Sequence, residues 1–275
     1  MSQQHAIEVS AGERFAFGDN WTAFLTLLDD DRIREAEISL RAMLHLDSLQ
    51  GLRFLDIGSG SGLFSLAARR LGARVLSFDF DPASVACTRE LRRRYFPDDE
   101  AWNVLSGSAL EAEFMATLGE FDVVYSWGVL HHTGRMWMAI EQAISRVAPG
   151  GRLFIAIYND QGVVSRRWLW VKRTYNRLPG FLRPVLVFLA FLWLYWRPLL
   201  KDLLLLRPGW TFRAYSRGRG MSLWRDMVDW VGGYPFEVAK PEEIFDFCKA
   251  RGFQLETLKT CNDLGCNEFV LVRTG

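Results

Sequence analysis

The chain is poor in the residues that mark metal-bound and cross-linked proteins, with four cysteines and four histidines in 275 residues. Cys87, Cys248, Cys261 and Cys266 are scattered, form no C-x-x-C pair and have no histidine nearby. That pattern argues against a zinc module or a disulfide framework and fits thiols kept reduced in a cytoplasm, with no metal expected. No leader is evident: Met1-Ser2-Gln3-Gln4-His5 has no basic start and no apolar run behind it, so a signal peptide is not expected. Internal repeats are lacking. The uncharged apolar run 185–196 spans about 18 Å as helix, short of the ~30 Å hydrocarbon core, and reads as not transmembrane. An excess of one charge is missing too, with 33 basic and 32 acidic residues giving a net charge of +1.

What is present is a 49% apolar composition, enough for one large domain or one domain with a sizeable insertion. Leu52, Phe54, Leu55 and Ile57 read as a buried strand, and Gly58-Ser59-Gly60-Ser61-Gly62 follows at once. A helical pattern of Leu63, Leu66, Ala67 and Leu71 starts behind it. Glycine lets the backbone turn sharply and approach a ligand closely, and a helix N-terminus beside it offers unpaired N–H groups. The dinucleotide fingerprint needs glycines at positions one, three and six. Here they stand at one, three and five, the sixth is Leu63, and Asp56 precedes the first glycine by two residues. A second strand, Arg74 to Phe78, ends in Asp79, which lies 21 residues after Gly58. That offset suits a carboxylate that grips ribose hydroxyls.

Further strand–turn units follow at Trp102 to Ala109, Phe121 to His132 and Gly150 to Tyr158. In order and spacing, these motifs resemble those of the class I S-adenosylmethionine (SAM) methyltransferases over about residues 50–158, and again near 241–274. The resemblance implies an α/β, Rossmann-like seven-stranded sheet with the last strand antiparallel, helices on both faces and a large helical insertion after the fifth strand. It implies SAM as cofactor and S-adenosylhomocysteine as product. By the same resemblance Asp56 orients the amino acid end, and Gly58, Ser59, Gly60 and Gly62 form the turn beneath it. Asp79 holds the ribose with Phe80 against adenine, Ser108 and Ala109 line the adenine edge, and Ser126 and Trp127 lie near the methionyl chain. The family usually has an acidic or amide residue where Ser108 stands. Residues 1–50 form a helical cover, with Phe15, Phe17, Asn20 and Trp21 facing the cofactor or packing on the sheet. Residues 51–159 and 241–275 form the core.

Residues 160–240 exceed what a crossover needs, so substrate identity is expected there. Between Asp160 and Gly220 there are twelve basic and two acidic residues. The near-neutral total therefore hides a local charge of +10 against −9 elsewhere. Trp168, Val171, Tyr175 and Leu178 share one helical face, with Arg167, Lys172, Arg173 and Arg177 largely elsewhere. A basic amphipathic helix beside an apolar one suits three roles: a lid over the substrate, attachment to an anionic membrane surface on the cytoplasmic side, or a homo-oligomer interface. Nucleic acid is not expected, because stacking aromatics of an RNA-binding module are not evident. Asp226 and Asp229, at i and i+3, share a helix face. They either bind an acceptor hydroxyl or amine or pair with local arginines. Tyr234, in Gly232-Gly233-Tyr234-Pro235, is a further substrate candidate.

If the acceptor is a hydroxyl, a base must take its proton, and histidine is suited to that. His131 and His132 follow the fourth strand at the sheet's carboxyl edge; at most one is expected to face the methyl group, and His131 is preferred. The leading expectation is O- or N-methylation of a small, amphipathic or lipid-linked acceptor. The alternatives are a protein or RNA methyltransferase, or a SAM-binding membrane-associated scaffold.

Overall fold

Short β-branched and aromatic runs alternate with amphipathic helical segments along the chain, and this alternation folds as crossover units. The computed structural model describes residues 2–18, 21, 24–26, 28–205, 223–262 and 264–274. Its strands are β1 (Arg53–Ile57), β2 (Arg74–Asp79), β3 (Trp102–Ser106), β4 (Phe121–Trp127), β5 (Val147–Tyr158), β6 (Phe253–Lys259) and β7 (Cys266–Arg273). They form one sheet in the order β3-β2-β1-β4-β5-β7-β6. Pairing is parallel from β3 to β5, and β7 runs antiparallel between β5 and β6.

After β1 the chain moves outward to β2 and β3, and it then returns to place β4 on the other side of β1. The direction of winding reverses between β1 and β4, so a crevice opens at their carboxyl ends. Two apolar clusters bury the two faces of the sheet. One holds Leu55, Ile57, Val124, Leu153 and Ile155, and the other holds Phe54, Val75, Val123, Tyr125 and Phe154. The alternation of these residues between clusters follows from the two-residue period of a strand.

The helices before the insertion are α1 (Ser2–Ser10), α2 (Asp30–Leu44), α3 (Leu63–Arg70), α4 (Pro82–Tyr95), α5 (Ala112–Thr117) and α6 (Met136–Ile144). Two caps show how local chemistry starts them. The Asp29 carboxylate accepts from Arg32 N at the head of α2, and Asp81 accepts from Ala83 N at the head of α4, whose first residue is Pro82.

The insertion contributes α7 (Val163–Arg177), α8 (Arg183–Leu204) and α9 (Leu223–Gly232), and α10 (Pro241–Lys249) returns to the core. Its two ends are joined where Ala239 N donates to Tyr158 O and Asp160 N donates to Ala239 O. Trp168, Tyr175, Val187, Ala190, Met227 and Val231 form a third apolar cluster, separate from the two that flank the sheet.

Two expectations about this region need correction. The apolar run was read as a helix of twelve residues, but α8 has 22 and is about 33 Å long. Arg183 and Pro184 begin it, and Arg197, Leu199, Leu200 and Lys201 extend it, because Arg, Lys and Leu are good helix formers and a charge does not end a helix. By length and composition alone α8 is sufficient to cross a bilayer. Lys172 was grouped with the basic residues largely off the apolar face of α7, but it is fully buried. Its position four residues after Trp168 puts it on the inward stripe. Asn20, Arg207, Arg213, Arg217 and Arg219 lie outside the described residues.

Gly62 caps α3 with φ +83°, and a Cβ there would sit 2.9 Å from Thr88 Cα. Both the left-handed backbone and the contact with α4 exclude a side chain. Gly62→Ala is expected to cost about 2 kcal/mol or more and to lower Tm by several degrees in a thermal melt. An unchanged Tm would show that the turn tolerates a side chain.

Candidate cofactor and acceptor site

The crevice at the β1/β4 ends is a cavity of about 910 Å³, near the upper end of the ~300–1,000 Å³ typical of ligand sites. One end is built by the glycine turn. Gly58 N and Ser59 N both donate to Phe78 O, and Ser59 Oγ bonds Thr88 Oγ1 at 2.8 Å. Gly60 N donates to Asp79 Oδ2 and Asp81 N to Asp79 Oδ1, both at 2.9 Å. Asp79 therefore ties the turn after β1 to the turn after β2. A carboxylate has about four lone-pair positions, so two remain for a ligand diol.

Asp56 lies deeper. Trp102 Nε1 donates to Ser77 Oγ at 2.9 Å, and Ser77 bonds Ser65 at 2.7 Å. Ser65 donates to Asp56 Oδ2. Because Ser65 spends its hydrogen on the carboxylate, Ser77 must donate to Ser65, and the chain of bonds runs in one direction. Burial pushes Asp56 up to about 7, against the Ser65 donor, and the Asp79 charge adds to the rise. Burial likewise lifts Asp79 to about 6 against its backbone donors. Tyr125, opposite Asp56 in the β1–β4 register, lines the same end, and its buried hydroxyl has no hydrogen-bond partner among the described residues.

These groups fit the cofactor implied by the sequence. Two buried carboxylates are most stable beside donors and positive charge, and a ligand with an ammonium, a sulfonium and a ribose diol supplies both. Trp21 covers the turn, with its indole 3.1 Å from where a Gly60 Cβ would be. Arg14 lies over the Phe80 ring at 4.9 Å and donates to His132 O at 3.0 Å.

At the other end, the short 3-10 turn Leu130–His132 after β4 separates the two histidines. His132 lines the cavity and His131 does not. The preference for His131 is thus reversed by backbone direction. Within the turn His131 points inward, fully buried, and its Nδ1 accepts from Tyr158 N. His132 Nδ1 donates to Pro235 O at 2.6 Å, which leaves Nε2 as the accepting nitrogen. Burial and the nearby Lys172 charge hold His132 down to about 3, so the ring is neutral.

Lys172 reaches from α7 to behind this wall. Its Nζ donates to Trp230 O and sits 4.3 Å from the Trp230 ring and 4.8 Å from the Phe236 ring. Burial pushes it down to about 7, and Asp229 opposes the fall. Asp226 and Asp229 both line the cavity, together with Met227 and Trp230 of α9 and Leu194 and Tyr195 of α8.

Of the other residues named from sequence, Gly58, Ser59, Gly60, Phe80, Ser108, Ala109, Trp127 and Trp21 line the cavity. Ser126, Gly62 and Tyr234 do not. Ser126 is fully buried and donates to Ile57 O at 2.9 Å, which ties β4 to β1. Gly62 serves the packing of α3 on α4. Tyr234 turns away and meets the Arg173 guanidinium at 5.9 Å. Sequence reasoning missed Ser65, Ser77, Tyr125, Arg14 and the buried state of Lys172. The pairing of β1 with β4 would have found Tyr125, since the two strands were both recognised.

A parallel sheet with this reversal, an antiparallel β7 and paired carboxylates around a glycine turn defines the class I methyltransferase fold. Residues 28–198 match the methyltransferase domain family, and the chain belongs to it. A ubiquinone biosynthesis O-methyltransferase of Brucella ovis is 34% identical over 112 residues, 40% of this chain and 43% of that protein. The chain thus spans less than half the length of such relatives. Among solved structures, magnesium protoporphyrin IX methyltransferase from Synechocystis PCC 6803 with bound SAH is 13% identical. It has a TM-score of 0.53 over 88% of this chain and 83% of that one. An O-methyltransferase family protein from Burkholderia thailandensis is 13% identical, with a TM-score of 0.54 over 90% and 58% of the respective chains. At these identities the structures share the fold.

Two predictions follow from the carboxylates. Asp79→Ala is expected to weaken SAM binding at least about tenfold in calorimetry, as one charged hydrogen-bonded partner is lost; an unchanged Kd would remove Asp79 from the site. The second concerns pH. Asp56 and Asp79 both titrate above the ordinary 3.8 when folded. The unliganded protein should therefore lose stability as pH rises from about 4 to about 7, and a cationic ligand should offset that loss. The rise in Tm caused by SAM is accordingly expected to be larger at about pH 8 than at about pH 6. Equal rises at both would mean that neither carboxylate meets the ligand's charge.

Proposed function

We propose that this protein transfers the methyl group of SAM to a hydroxyl oxygen of a small, amphipathic acceptor. The supporting observation is that one continuous cavity holds the glycine turn with Asp56 and Asp79 at one end and His132 with Asp226 and Asp229 at the other. The O-methyltransferase name of the Brucella relative supports oxygen as the attacking atom. SAM brings a methyl group already activated by a sulfonium, open to in-line attack. The protein's task is then to position and desolvate the partners, which can supply ~7–11 kcal/mol of the barrier.

Asp79 and Asp56 hold the two polar ends of the donor. His132 Nε2 accepts the acceptor's hydroxyl hydrogen and thereby orients an oxygen lone pair. A low basicity does not disqualify it. Oxygen that is gaining a methyl group becomes an oxonium far more acidic than an imidazolium, so the proton moves to His132 late and downhill. Lys172 has an indirect role: its charge disfavours an imidazolium before the reaction and keeps the Nε2 lone pair available. Phe17 packs on the His132 ring at 4.9 Å and limits water there. The apolar wall of Met227, Trp230, Leu194 and Tyr195 suits an acceptor with a ring or a tail.

Methyl-labelled SAM incubated with a lipid extract, a polar small-molecule extract, protein and RNA distinguishes the readings. Label in the lipid or small-molecule fraction is expected. Label confined to protein or RNA would overturn the acceptor class, and binding without any transfer would favour a scaffold. With an acceptor in hand, His132→Ala is expected to lower kcat at least about 100-fold with SAM affinity unchanged. A matching loss of SAM affinity would assign His132 to packing instead.

A further inference from the structure

The helix α8 is apolar on two opposite sides. Val187 and Ala190 are buried, and Leu194 and Tyr195 line the cavity. On the other side Val185, Phe188, Leu189, Leu192, Trp193 and Trp196 are 39% to 56% exposed. Their spacing of three and four residues makes them one continuous stripe. A helix on a protein surface normally turns charged and polar residues outward, and a large exposed apolar patch marks a contact surface.

Both long helices of the insertion also carry exposed cations. Arg166, Arg167, Arg173 and Arg177 on α7 and Arg197 and Lys201 on α8 are exposed. Across residues 160–205 the two carboxylates, Asp160 and Asp202, are half-buried and buried. Trp170 is 67% exposed among the α7 arginines. An exposed apolar stripe with tryptophan, on a pair of helices whose exposed charges are all cationic, is the composition of a surface that lies in a bilayer interface.

We propose that α8 lies flat on an anionic lipid leaflet, with the stripe from Val185 to Trp196 in the acyl boundary and the α7 and α8 cations on the headgroups. Charge selects this occupant over a second copy. A two-fold contact would bring the same cation-bearing surface against itself, whereas an anionic leaflet pairs with every cation. The helix lies flat because its inner face is engaged with α7, α9 and the cavity, and because Arg197 and Lys201 break the apolar surface toward its end. A consequence, which rests on the proposed methyl transfer, concerns substrate entry. The helix that touches lipid also lines the acceptor end of the cavity, so a tailed acceptor would pass from leaflet to His132 around one helix.

The test is flotation of the full chain with vesicles, without SAM or acceptor. Vesicles of phosphatidylcholine with phosphatidylglycerol should bind at least about tenfold more tightly than phosphatidylcholine alone, since each basic residue near an anionic surface adds roughly fivefold. High salt should weaken the binding. The triple variant Phe188→Ser, Leu189→Ser, Leu192→Ser should lose at least tenfold in vesicle affinity while its circular dichroism and SAM affinity stay unchanged. Arg166→Gln, Arg167→Gln and Arg177→Gln together should remove the preference for anionic lipid. Absence of flotation at low salt, or flotation undiminished in the apolar triple variant, would overturn the proposal. So would a dimer seen by sedimentation that the triple variant dissolves in a protein that ignores vesicles. Because flotation is read without turnover, its failure leaves the methyl-transfer reading standing, and a failed transfer assay leaves the docking standing.

Discussion

The site depends on holding two carboxylates where burial opposes their charge. Asp79 is spent partly on the protein itself, since the backbone N–H groups of Gly60 and Asp81 converge on it and bring two turns from different strands to one point. Asp56 is held by a one-directional chain of hydroxyls that ends on an indole N–H. Neither arrangement fully compensates the loss of water, and both groups titrate well above the ordinary carboxylate range. The energetic deficit is what gives a cation its affinity here. A site with relaxed carboxylates would gain less from the same ligand.

The acceptor end inverts that logic. There the buried titratable group is an amine, Lys172, surrounded by aromatic faces and a backbone carbonyl and pushed down to about 7 by burial. Burial holds both histidines neutral, and Lys172 adds to the effect. A neutral imidazole with Nδ1 committed to Pro235 can only accept at Nε2. The cavity therefore runs from an end built on two buried carboxylates to an end where a neutral imidazole, Asp226 and Asp229 line the wall.

How much of this was legible in the sequence depended on the range of the interaction. The glycine turn, Asp79 and the Ser108-Ala109 turn were legible because each sits at the end of a strand, at a spacing set by one crossover unit. The relay of Ser65, Ser77 and Trp102 was not, since its members come from three elements and meet only through the β1–β2–β3 register. Tyr125 was within reach, since β1 and β4 were both recognised and only their pairing was missing. The ordering of His131 and His132 depended on one short turn that no periodicity encodes. Lys172 was misplaced because a charged side chain on a helix was read as solvated, whereas aromatic neighbours more than fifty residues away in sequence supply its partners. The length of α8 was underestimated because the apolar run was taken for the helix.

The insertion shows why net charge is a poor guide to this molecule. A total near zero arises from an acidic core, which includes the carboxylates a cationic ligand needs, and a basic appendage that carries the exposed arginines. Were the same charges mixed evenly, the cavity would lose its acidic end and α7 its cationic face. The two features are separated by the seam at Tyr158 and Ala239 where the insertion leaves and rejoins the sheet. Tyr158 stands at that seam, its N–H on His131 and its ring 4.0 Å from the same imidazole. The histidine pair is thus held from both sides of the seam, His131 by Tyr158 N–H and His132 by Pro235 O. The carbonyl that fixes the His132 tautomer therefore comes from the end of the insertion, whereas the glycine turn and its carboxylates are built from the core alone.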